Sequence, residues 1–541
     1  MKSEEKGKNI FALRITCLPA GTARYSILLL LLSAFLYFFK LGSFSLYDAA
    51  ETTYGEFVKN MLQMGDWLTL HFNGQIIFDK PPLYYWLVAG LSQVVGFSEW
   101  TMRFWAALAG VLTVITTYVF GKELYNRRTG FLSAMIIMTA FQFLIQSRIA
   151  ELDIVLTLFI LLSLFLFYRG YTTGQRNYFL AAYLPMGLGM LIKGVLAAAL
   201  PIFTIVLFLV IRNKTEKLRE MRVIPGLIIL TLIGLPWYLA EYILHGKVFL
   251  EFALGFLFIS RFQHVVSGHT GPWYYYLPAV LLGFAPWSHF LPFSLWRNFK
   301  RWKNDPDLLL LCLIVPAFIV FSIAKTKIPN YILPLYPFLA ISAGRLWDEF
   351  LFEPRTADGG FRYSNLFLAF IVALIIIGFI MVGQQNYPAQ YSTMVPSLLA
   401  LATVLVLGSI LSILFFFFKA YRLSFASLPV MVFAIMLLLT LWALPLVEEL
   451  KGEKPLGKMV TKIILDNQKI GVFDVGNRPG VVFYNSRPVL FLAAEKQCSD
   501  FLASKSGYLF TTVDKYEKIK SSLPKTVKIL AKRGDLLVIY N

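Results

Sequence analysis

Long apolar segments, separated by short polar ones, recur along most of this chain. Segments of about 17 to 25 apolar residues have the length of a helix that crosses a bilayer. Backbone groups in lipid must be satisfied within the segment, which favours helices over open strands. The pattern predicts thirteen membrane-spanning helices, at about residues 25–41, 103–121, 129–147, 152–168, 178–192, 194–211, 223–243, 273–295, 307–323, 329–346, 364–383, 396–418 and 424–444.

One further apolar run, Leu83–Val95, is too short to cross comfortably, and the charges decide its place. With thirteen spans and a cytoplasmic N-terminus, every strongly basic short loop lies on the cytoplasmic side, as the positive-inside rule expects. If Leu83–Val95 also crossed, all later basic loops would face outward. We therefore expect a helix lying on the outer membrane surface, within a large first outer loop at 42–99.

Composition and charge agree with a polytopic α-helical membrane protein. The chain has 541 residues, 57% of them hydrophobic and only 15% charged, which excludes an ordinary soluble enzyme. Its net charge of +19 resides in the loops between spans, so we expect no nucleic-acid partner. Three scattered cysteines give neither a disulfide framework nor a cysteine metal site.

The composition changes sharply after Leu446, where short β-rich runs alternate with helical ones. We expect a transmembrane catalytic domain at 1–445 and a small soluble α/β domain at 446–541, which emerges on the outer, periplasmic side. The predicted strands are Ile470–Val475, Val481–Tyr484, Val489–Leu492, Tyr508–Val513 and Leu536–Tyr540, and the predicted helices are Glu495–Ser504 and Asp514–Ser522.

The stretch I-I-F-D-K-P-P-L-Y-Y-W at 76–86 places a charged pair, Asp79 and Lys80, in apolar surroundings. Pro81 and Pro82 cannot donate backbone hydrogen bonds, and they turn Lys80 away from helix. The pair therefore lies at a fixed break before a new element. A compact ammonium suits a phosphate, and a carboxylate beside it suits a metal or a sugar. The alternative is a loop with one salt bridge.

Other carboxylates also lie at the outer membrane surface, where ionisable groups are costly and often functional. In Y-D-A-A-E, Asp48 and Glu51 share one face if the segment is helical. They could act as a general base or stabilise positive charge on a sugar, or Asp48 could simply cap the helix. Asp153, with Glu151 and Arg148, lies in a tight turn whose charges could also merely mark the membrane surface.

Outer-side cations point to an anionic lipid. Lys193, Lys325 and Lys327 run against the positive-inside trend, which has a physical motive if a lipid phosphate docks there. Tyr331 could add a hydroxyl donor. The outer loop at 261–276 adds Arg261, His264 and His269, and a histidine with a carboxylate is a plausible site for a divalent metal, zinc or magnesium.

These motifs resemble the membrane-embedded glycosyltransferases of the GT-C fold that use polyprenyl-phosphate sugars. Within them, the chain most resembles the bacterial lipid A aminoarabinose transferases and their protein O-mannosyltransferase relatives. The resemblance covers the chain to about residue 345. It rests on Y-D-A-A-E (47–51), G-D-W (65–67), N-G (73–74), F-D-K-P-P-L-Y-Y-W (78–86), R-I-A-E-L-D (148–153), K-G (193–194), H-T-G-P-W-Y-Y-Y-L-P (269–278), A-P-W (285–287) and K-I-P-N-Y-I-L-P (327–334).

The resemblance implies a role for each matching residue. Asp48 and Asp153 match the family's catalytic candidates. Lys80 matches the lysine that holds the lipid phosphate, helped by Tyr331 and Arg261. Asp79 stands where the aminoarabinose transferases commonly have a glutamate that binds a metal with a loop histidine, here His269 rather than His264. Glu51, Lys193 and Lys327 complete the expected substrate-binding residues.

We therefore expect an inverting transfer of a sugar from a polyprenyl (undecaprenyl) phosphate donor to an outer-leaflet acceptor. The favoured reaction moves 4-amino-4-deoxy-L-arabinose to a lipid A phosphate. The alternatives are mannose or another sugar transferred to a protein or glycan, and a lipid or solute transporter. The expected setting is a monomer in the bacterial inner membrane, with its active site facing the periplasm.

Overall fold

The computed structural model describes residues 20–47, 49–253, 270–352, 363–369, 392–504 and 507–541. Helices dominate as far as Leu450. The helices of the first half are α1 (Ala20–Phe38), α2 (Ala50–Met64), α3 (Leu83–Val95), α4 (Glu99–Leu124), α5 (Arg127–Thr139), α6 (Phe141–Gln146), α7 (Leu152–Thr173), α8 (Arg176–Lys193), α9 (Leu196–Ile211), α10 (Lys217–Glu220), α11 (Val223–Gly234) and α12 (Pro236–Glu251).

The second half continues with broken and continuous helices and then changes character after Leu450. Its helices are α13 (Tyr276–Gly283), α14 (Leu291–Lys300), α15 (Asp305–Ile323), α16 (Tyr336–Phe352), α17 (Val395–Phe417), α18 (Tyr421–Leu438), α19 (Leu444–Leu450), α20 (Glu453–Ile463), α21 (Gly480–Phe483), α22 (Glu495–Ala503) and α23 (Val513–Ile519).

The prediction of a helical membrane protein is confirmed. In the described part of the chain, five helical segments are long and apolar enough to cross a bilayer: α4, α7, α15, α17 and the continuous stretch Tyr421–Leu450. The pair α11 and α12, bent by 48°, makes a sixth if it counts as one span. The total of thirteen spans stays a prediction, because several expected spans are interrupted helices. One of them, 364–383, lies mostly outside the described residues.

Small residues bring three helices of the membrane part into close contact. A β-carbon on Gly130 of α5 would lie 2.4 Å from the Tyr118 carbonyl oxygen of α4. A β-carbon on Gly344 of α16 would lie 2.2 Å from Ser133 Oγ of α5. Small residues at such crossings let helix backbones approach where lipid offers no hydrophobic driving force. The core of the membrane part is therefore built on glycine contacts.

The first outer loop folds onto the membrane helices in a compact order. After α2, a two-stranded hairpin forms from β1 (His71–Phe72) and β2 (Gln75–Ile76). Asn73 and Gly74 join the strands with φ values of 51° and 76°, the left-handed pair that an Asn-Gly hairpin turn favours. The helix α3 then follows the two prolines at Pro81 and Pro82, as the apolar run predicts.

A five-stranded sheet forms the core of the C-terminal segment, in the order β4-β3-β5-β7-β6. Strand β3 runs parallel to β4 and β5, whereas β7 runs antiparallel to β5 and β6. The prediction of a small α/β unit agrees with this arrangement, although the domain boundary itself stays a prediction. The strands are β3 (Lys469–Phe473), β4 (Val489–Leu492), β5 (Gly507–Thr512), β6 (Lys528–Arg533) and β7 (Leu536–Tyr540).

The strand predicted at Val481–Tyr484 is wrong, because α21 lies there. A four-residue apolar run does not distinguish a buried strand from a buried turn of helix. Here Pro479 supplies the preset backbone angle that begins a helix. The strand β6 was not predicted, since its sequence K-I-L-A-K-R lies half exposed at the edge of the sheet.

The C-terminal segment holds the first outer loop through paired hydrogen bonds. The Asn73 side chain accepts from the Val489 N–H at 2.7 Å and donates to the Val489 carbonyl at 2.9 Å. The Leu46 N–H donates to the Tyr484 hydroxyl at 2.8 Å. The Glu448 carboxylate accepts hydrogen bonds from the backbone N–H and from the hydroxyl of Ser45. The end of the chain thus fixes the loop at both of its sides.

We predict that Gly130→Ala lowers the melting temperature of the purified protein, because its methyl group would meet the Tyr118 carbonyl. Such overpacking costs about 1 to 3 kcal/mol. Gly90→Ala is the matched control, since a β-carbon on this helical glycine meets nothing within 4 Å. It should leave stability unchanged or slightly raised. Equal melting temperatures for both variants would contradict the glycine-contact account.

Candidate active site

The site is built around the C-terminal end of α1, where exposed carbonyl groups need donors. Arg148, from the turn between α6 and α7, donates to the Leu36 carbonyl at 2.6 Å and to the Phe39 carbonyl at 2.8 Å. Arg103, from the first turn of α4, donates to the Leu41 carbonyl at 3.0 Å. Two arginines therefore fix the point where the chain leaves α1 and enters the first outer loop.

A buried bidentate ion pair joins the loop to α4. Arg103 Nε donates to Glu51 Oε1 at 2.8 Å, and Arg103 Nη2 donates to Glu51 Oε2 at 2.7 Å. Glu51 is 1% exposed and Arg103 5% exposed. Parallel hydrogen bonds of this kind fix geometry as well as energy. The pair holds α2, which has Glu51 in its first turn, against α4.

Glu51 also accepts from two backbone groups, the N–H of Tyr47 at 2.6 Å and the N–H of Ala150 at 2.5 Å. Its two oxygens therefore receive four hydrogen bonds from three parts of the chain. The structure gives Glu51 a positioning role, which joins the first loop, α4 and the turn before α7. Its predicted contact with substrate stays a prediction.

Three of the predicted site residues meet although they lie on separate elements. Lys193, the last residue of α8, pairs with Asp153 of α7 at 2.5 Å. The same ammonium lies 4.7 Å from the centre of the Tyr331 ring, a cation–π distance. Asp153 is 4% exposed. A cation, a carboxylate and a phenol are thus gathered at one point.

The second predicted pair is formed as its sequence suggests. Lys80 Nζ lies 2.6 Å from Asp79 Oδ1, just before the proline pair that precedes α3. Their side chains are 11% and 26% exposed, respectively. The indole of Trp86, on the first turn of α3, donates to the Trp67 carbonyl at 2.5 Å. That bond ties the beginning of α3 to the preceding loop.

Glu151 connects the two lysine–carboxylate pairs. Burial raises the pKa of Glu151 to about 8, and the nearby charge of Asp153 adds to the rise. The positive charges of Lys193 and Lys80 act on it in the opposite direction, so both lysines lie close enough to influence this carboxyl. Both pairs therefore lie within electrostatic reach of Glu151.

Comparisons with known proteins agree with this geometry. A family described as dolichyl-phosphate-mannose-protein mannosyltransferase matches residues 79–239. An undecaprenyl phosphate-alpha-4-amino-4-deoxy-L-arabinose arabinosyl transferase of Pseudomonas fluorescens is 32% identical over 402 residues, which cover 72% of this chain and 71% of the relative. A protein of the same name from Yersinia enterocolitica is 31% identical over 396 residues, covering 70% of each chain.

This chain belongs to that arabinosyl transferase family. It is therefore a glycosyltransferase, and the resemblance noted from its motifs is confirmed. The crystal structure of ArnT from Cupriavidus metallidurans bound to undecaprenyl phosphate has the same fold, with a TM-score of 0.81 at 20% identity over 96% of this chain and 98% of that one. The GT-C fold expected from the sequence is thus the fold of this transferase.

The remaining predicted residues of the transferase fall into two groups. Lys327 is buried, and its ammonium donates to the Ser322 carbonyl at 3.0 Å and to the Ala324 carbonyl. Burial lowers the pKa of this lysine. In the structure it closes the turn after α15, and its contact with a phosphate stays a prediction. Asp48, Arg261, His264 and His269 lie outside the described residues.

Sequence reasoning missed Arg103, which holds the site together. The sequence did contain a signal for Arg103, because burying an arginine within an apolar helix costs free energy unless the arginine has a partner. The motif Y-D-A-A-E offered two carboxylates as that partner. Nothing in the spacing indicated which of them would pair across 52 positions of the chain.

We predict that Glu51→Gln strongly destabilises the transferase, because it leaves the Arg103 guanidinium buried without its anion. Breaking a buried pair costs about 3 to 5 kcal/mol. The control is Glu220→Gln, whose pair with Lys217 has side chains 34% and 28% exposed, and which should cost under about 1 kcal/mol. Thermal unfolding in detergent measures both. Similar melting temperatures would contradict the anchoring role of Glu51.

We also predict that Glu151 makes stability depend on pH. Its folded pKa, about 8, lies above the ordinary value of 4.5, so between these values the folded state keeps a proton that the unfolded chain releases. Stability from this group therefore falls as pH rises through that window and is constant outside it. As the pH rises from 5 to 8, the melting temperature of Glu151→Gln should increase relative to that of the wild type. Parallel curves would contradict this.

Proposed function

We propose that this protein transfers 4-amino-4-deoxy-L-arabinose from undecaprenyl phosphate to a phosphate of lipid A. The family supports the donor, since relatives are named for this sugar on this lipid phosphate. The observation that carries the proposal is the meeting of two lysine–carboxylate pairs and Tyr331 around Glu151. Such a set can hold a phosphate and a sugar side by side.

In this proposal, Lys80 and Tyr331 hold the donor phosphate, helped by Arg261. Lys80 and Lys193 are each paired with a carboxylate, at 2.6 Å and 2.5 Å respectively. The arriving phosphate competes with Asp79 for the Lys80 ammonium. The ammonium then stabilises the negative charge that grows on the phosphate as the sugar leaves.

The polyprenyl chain of the donor has a suitable place beside this site. A groove of about 560 Å³ lies between α13 and α15, lined by Trp273, Tyr274, Phe318, Ile323, Lys325 and Lys327. Its walls are aromatic and aliphatic, and its lysines lie at one edge. The ring of Phe321, from the same helix as Phe318, lies 6.4 Å from that of Tyr331. A lipid tail in this groove therefore leads toward the phosphate site.

The reaction breaks the bond between sugar C1 and the donor phosphate oxygen, which keeps the electron pair. An oxygen of the lipid A phosphate attacks C1 from the opposite face, so the configuration inverts and undecaprenyl phosphate is released. That oxygen is already ionised near neutral pH and needs little help from a base. Asp48 and Asp153 then orient the reactants and stabilise positive charge on the sugar ring.

A second candidate is the transfer of mannose or another sugar to a protein or glycan. The match of residues 79–239 to the protein mannosyltransferase family favours it. An acceptor hydroxyl, unlike a phosphate, must lose its proton during the attack. In that case Asp48 or Asp153 would act as the general base.

A divalent metal, zinc or magnesium, stays a prediction. One of its two expected ligands lies outside the described residues. Of the two expected ligands, Asp79 is paired with Lys80, and His269 is not described. Residues in the described ranges contain no group of three histidine, cysteine, aspartate or glutamate side chains suited to a metal. They do not by themselves fit a metal ion, and no step above depends on one.

The setting we propose is a monomer with thirteen spans in the bacterial inner membrane. The N-terminus is cytoplasmic, and the site and the C-terminal unit at 446–541 face the periplasm. The basic short loops support this orientation. The hydrogen bonds between Asn73 and Val489 support a C-terminal unit on the same side as the first outer loop.

Mass spectrometry of lipid A tests the proposal in a host that makes the donor lipid but lacks its own aminoarabinose transferase. We predict that the wild-type chain adds an aminopentose to the lipid A phosphates. Lys80→Met should reduce the product at least about a hundredfold, since it removes a charged contact made to the leaving phosphate. Lys300→Met, from the basic end of α14, is the control and should retain activity.

The protein must be present in the membrane at equal amounts in each strain. Unmodified lipid A with the wild-type protein present would contradict aminoarabinose transfer to lipid A and favour the second candidate. Full activity of Lys80→Met would instead contradict the phosphate role of Lys80.

A further inference from the structure

Three polar groups beside the site have no hydrogen-bond partner among the described residues. The hydroxyl of Tyr85 is fully buried and unsatisfied. Native proteins rarely leave buried polar groups unpaired, because each costs free energy comparable to a lost hydrogen bond. The Tyr85 hydroxyl therefore indicates a partner from outside the described chain. The Tyr54 hydroxyl and the half-buried Glu151 carboxyl, for which no hydrogen bond or ion pair is found within the described ranges, lie close to it.

The three groups lie near one another, since Ala150, next to Glu151, donates to Glu51, one turn before Tyr54 on α2. The rings of Tyr54 and Tyr85 lie 5.5 Å apart. Burial raises the pKa of Tyr54, and among the charged groups that add to this rise Glu151 is the foremost. Burial also raises the pKa of Tyr85, with Asp79 and then Glu151 adding to it. Both phenols therefore lie near the Glu151 carboxyl, on the side of the site that Asp79 borders.

The charges around this space favour a cation as part of the ligand. Glu51 receives four hydrogen bonds, including both from Arg103, and Asp153 is paired with Lys193. Lys80 is beside Asp79. Glu151 is thus the carboxyl in this group that has no described cation of its own, and it lies among other carboxylates. An ammonium would stabilise the ionised form of Glu151 in place of the proton that this carboxyl otherwise keeps, whereas an anion beside it would be repelled.

We propose that Glu151 binds the amino group of the donor sugar and that Tyr85 and Tyr54 bond to its hydroxyl groups. This inference rests on the proposed function and adds the basis of its sugar choice. A 4-amino sugar carries one ammonium and two or more hydroxyls on neighbouring ring positions. Glu151, Tyr85 and Tyr54 offer one carboxyl and two phenols to receive them, beside the lysines expected to hold the phosphate.

The geometry separates this role from that of the neighbouring acids. Glu51 already accepts four hydrogen bonds from the protein. Asp153 shares its charge with Lys193 and lies at the phosphate side, near Tyr331. Glu151 is a binding residue in this scheme, and it determines which sugar is accepted.

The test compares two donors on the full-length protein in liposomes with lipid A. One donor carries 4-amino-4-deoxy-L-arabinose and the other carries L-arabinose, each on undecaprenyl phosphate. In Glu151→Gln, kcat/KM for the amino donor should fall about tenfold to a hundredfold, the range expected for one charged hydrogen bond. For the neutral donor it should change by less than about threefold, since no charge is lost.

Tyr85→Phe and Tyr84→Phe form a matched pair of variants. Both tyrosines are fully buried on α3, but the Tyr84 hydroxyl donates to the Met102 carbonyl at 2.7 Å. Tyr85→Phe should raise KM for both donors without lowering the melting temperature. Tyr84→Phe should lower the melting temperature and leave the KM values unchanged. A Tyr85→Phe variant with wild-type KM values would mean that its hydroxyl binds only water, which would overturn its part in the pocket.

The wild type supplies a measurement that does not depend on any variant folding. Acetylation of the sugar amine removes its charge, and it should lower kcat/KM at least about tenfold against the free amine. Equal selectivity in the wild type and Glu151→Gln, while both transfer sugar, overturns this inference alone. No transfer from any donor by the wild type overturns the proposed function, and this inference with it.

Discussion

The bidentate ion pair between Glu51 and Arg103 is the interaction on which the rest of the site depends. It lies out of water, so its partners must be fully hydrogen-bonded to recover the cost of burying charge. They are, since Arg103 also binds the carbonyls that follow α1 and Glu51 also binds the N–H groups of Tyr47 and Ala150. The same bonds that satisfy the charges therefore fix three chain segments in one arrangement.

That arrangement allows a reactive set of charges to exist at a membrane surface. Lys80, the described cation that we assign to the donor phosphate, lies beside the Asp79 carboxylate. Pairing of opposite charges limits the cost of their partial burial. An approaching phosphate therefore meets carboxylates that are already paired with lysines. The lysines are paired as well, which limits their binding of other anions.

The sequence predicted much of this because the signals were local. Apolar length indicated the helices, and Pro81 and Pro82 indicated the break at which Lys80 and Asp79 lie. The charges of the loops predict that α3 lies outside the membrane, which stays a prediction. Each of these inferences needs only a dozen neighbouring residues and a physical rule.

The parts that could not be predicted depend on contacts between distant segments. No local rule pairs Glu51 with Arg103 rather than leaving it for substrate, or directs the Lys327 ammonium to backbone carbonyls. The short apolar run Val481–Tyr484 is compatible with strand and helix alike, and its tertiary surroundings make it a helix. The unpaired hydroxyl of Tyr85 is invisible in sequence, since it is recognised only by the absence of described partners around it.

The paired hydrogen bonds between Asn73 and Val489 have a consequence for how the protein is made. The first outer loop leaves the ribosome early, whereas the strand that holds it is translated more than 400 residues later. Until then the loop lacks one of its two supports. A nascent chain therefore contains Asp79 and Lys80 before the loop that carries them has both of its supports. Biosynthesis itself thus delays the assembled site until the chain is nearly complete.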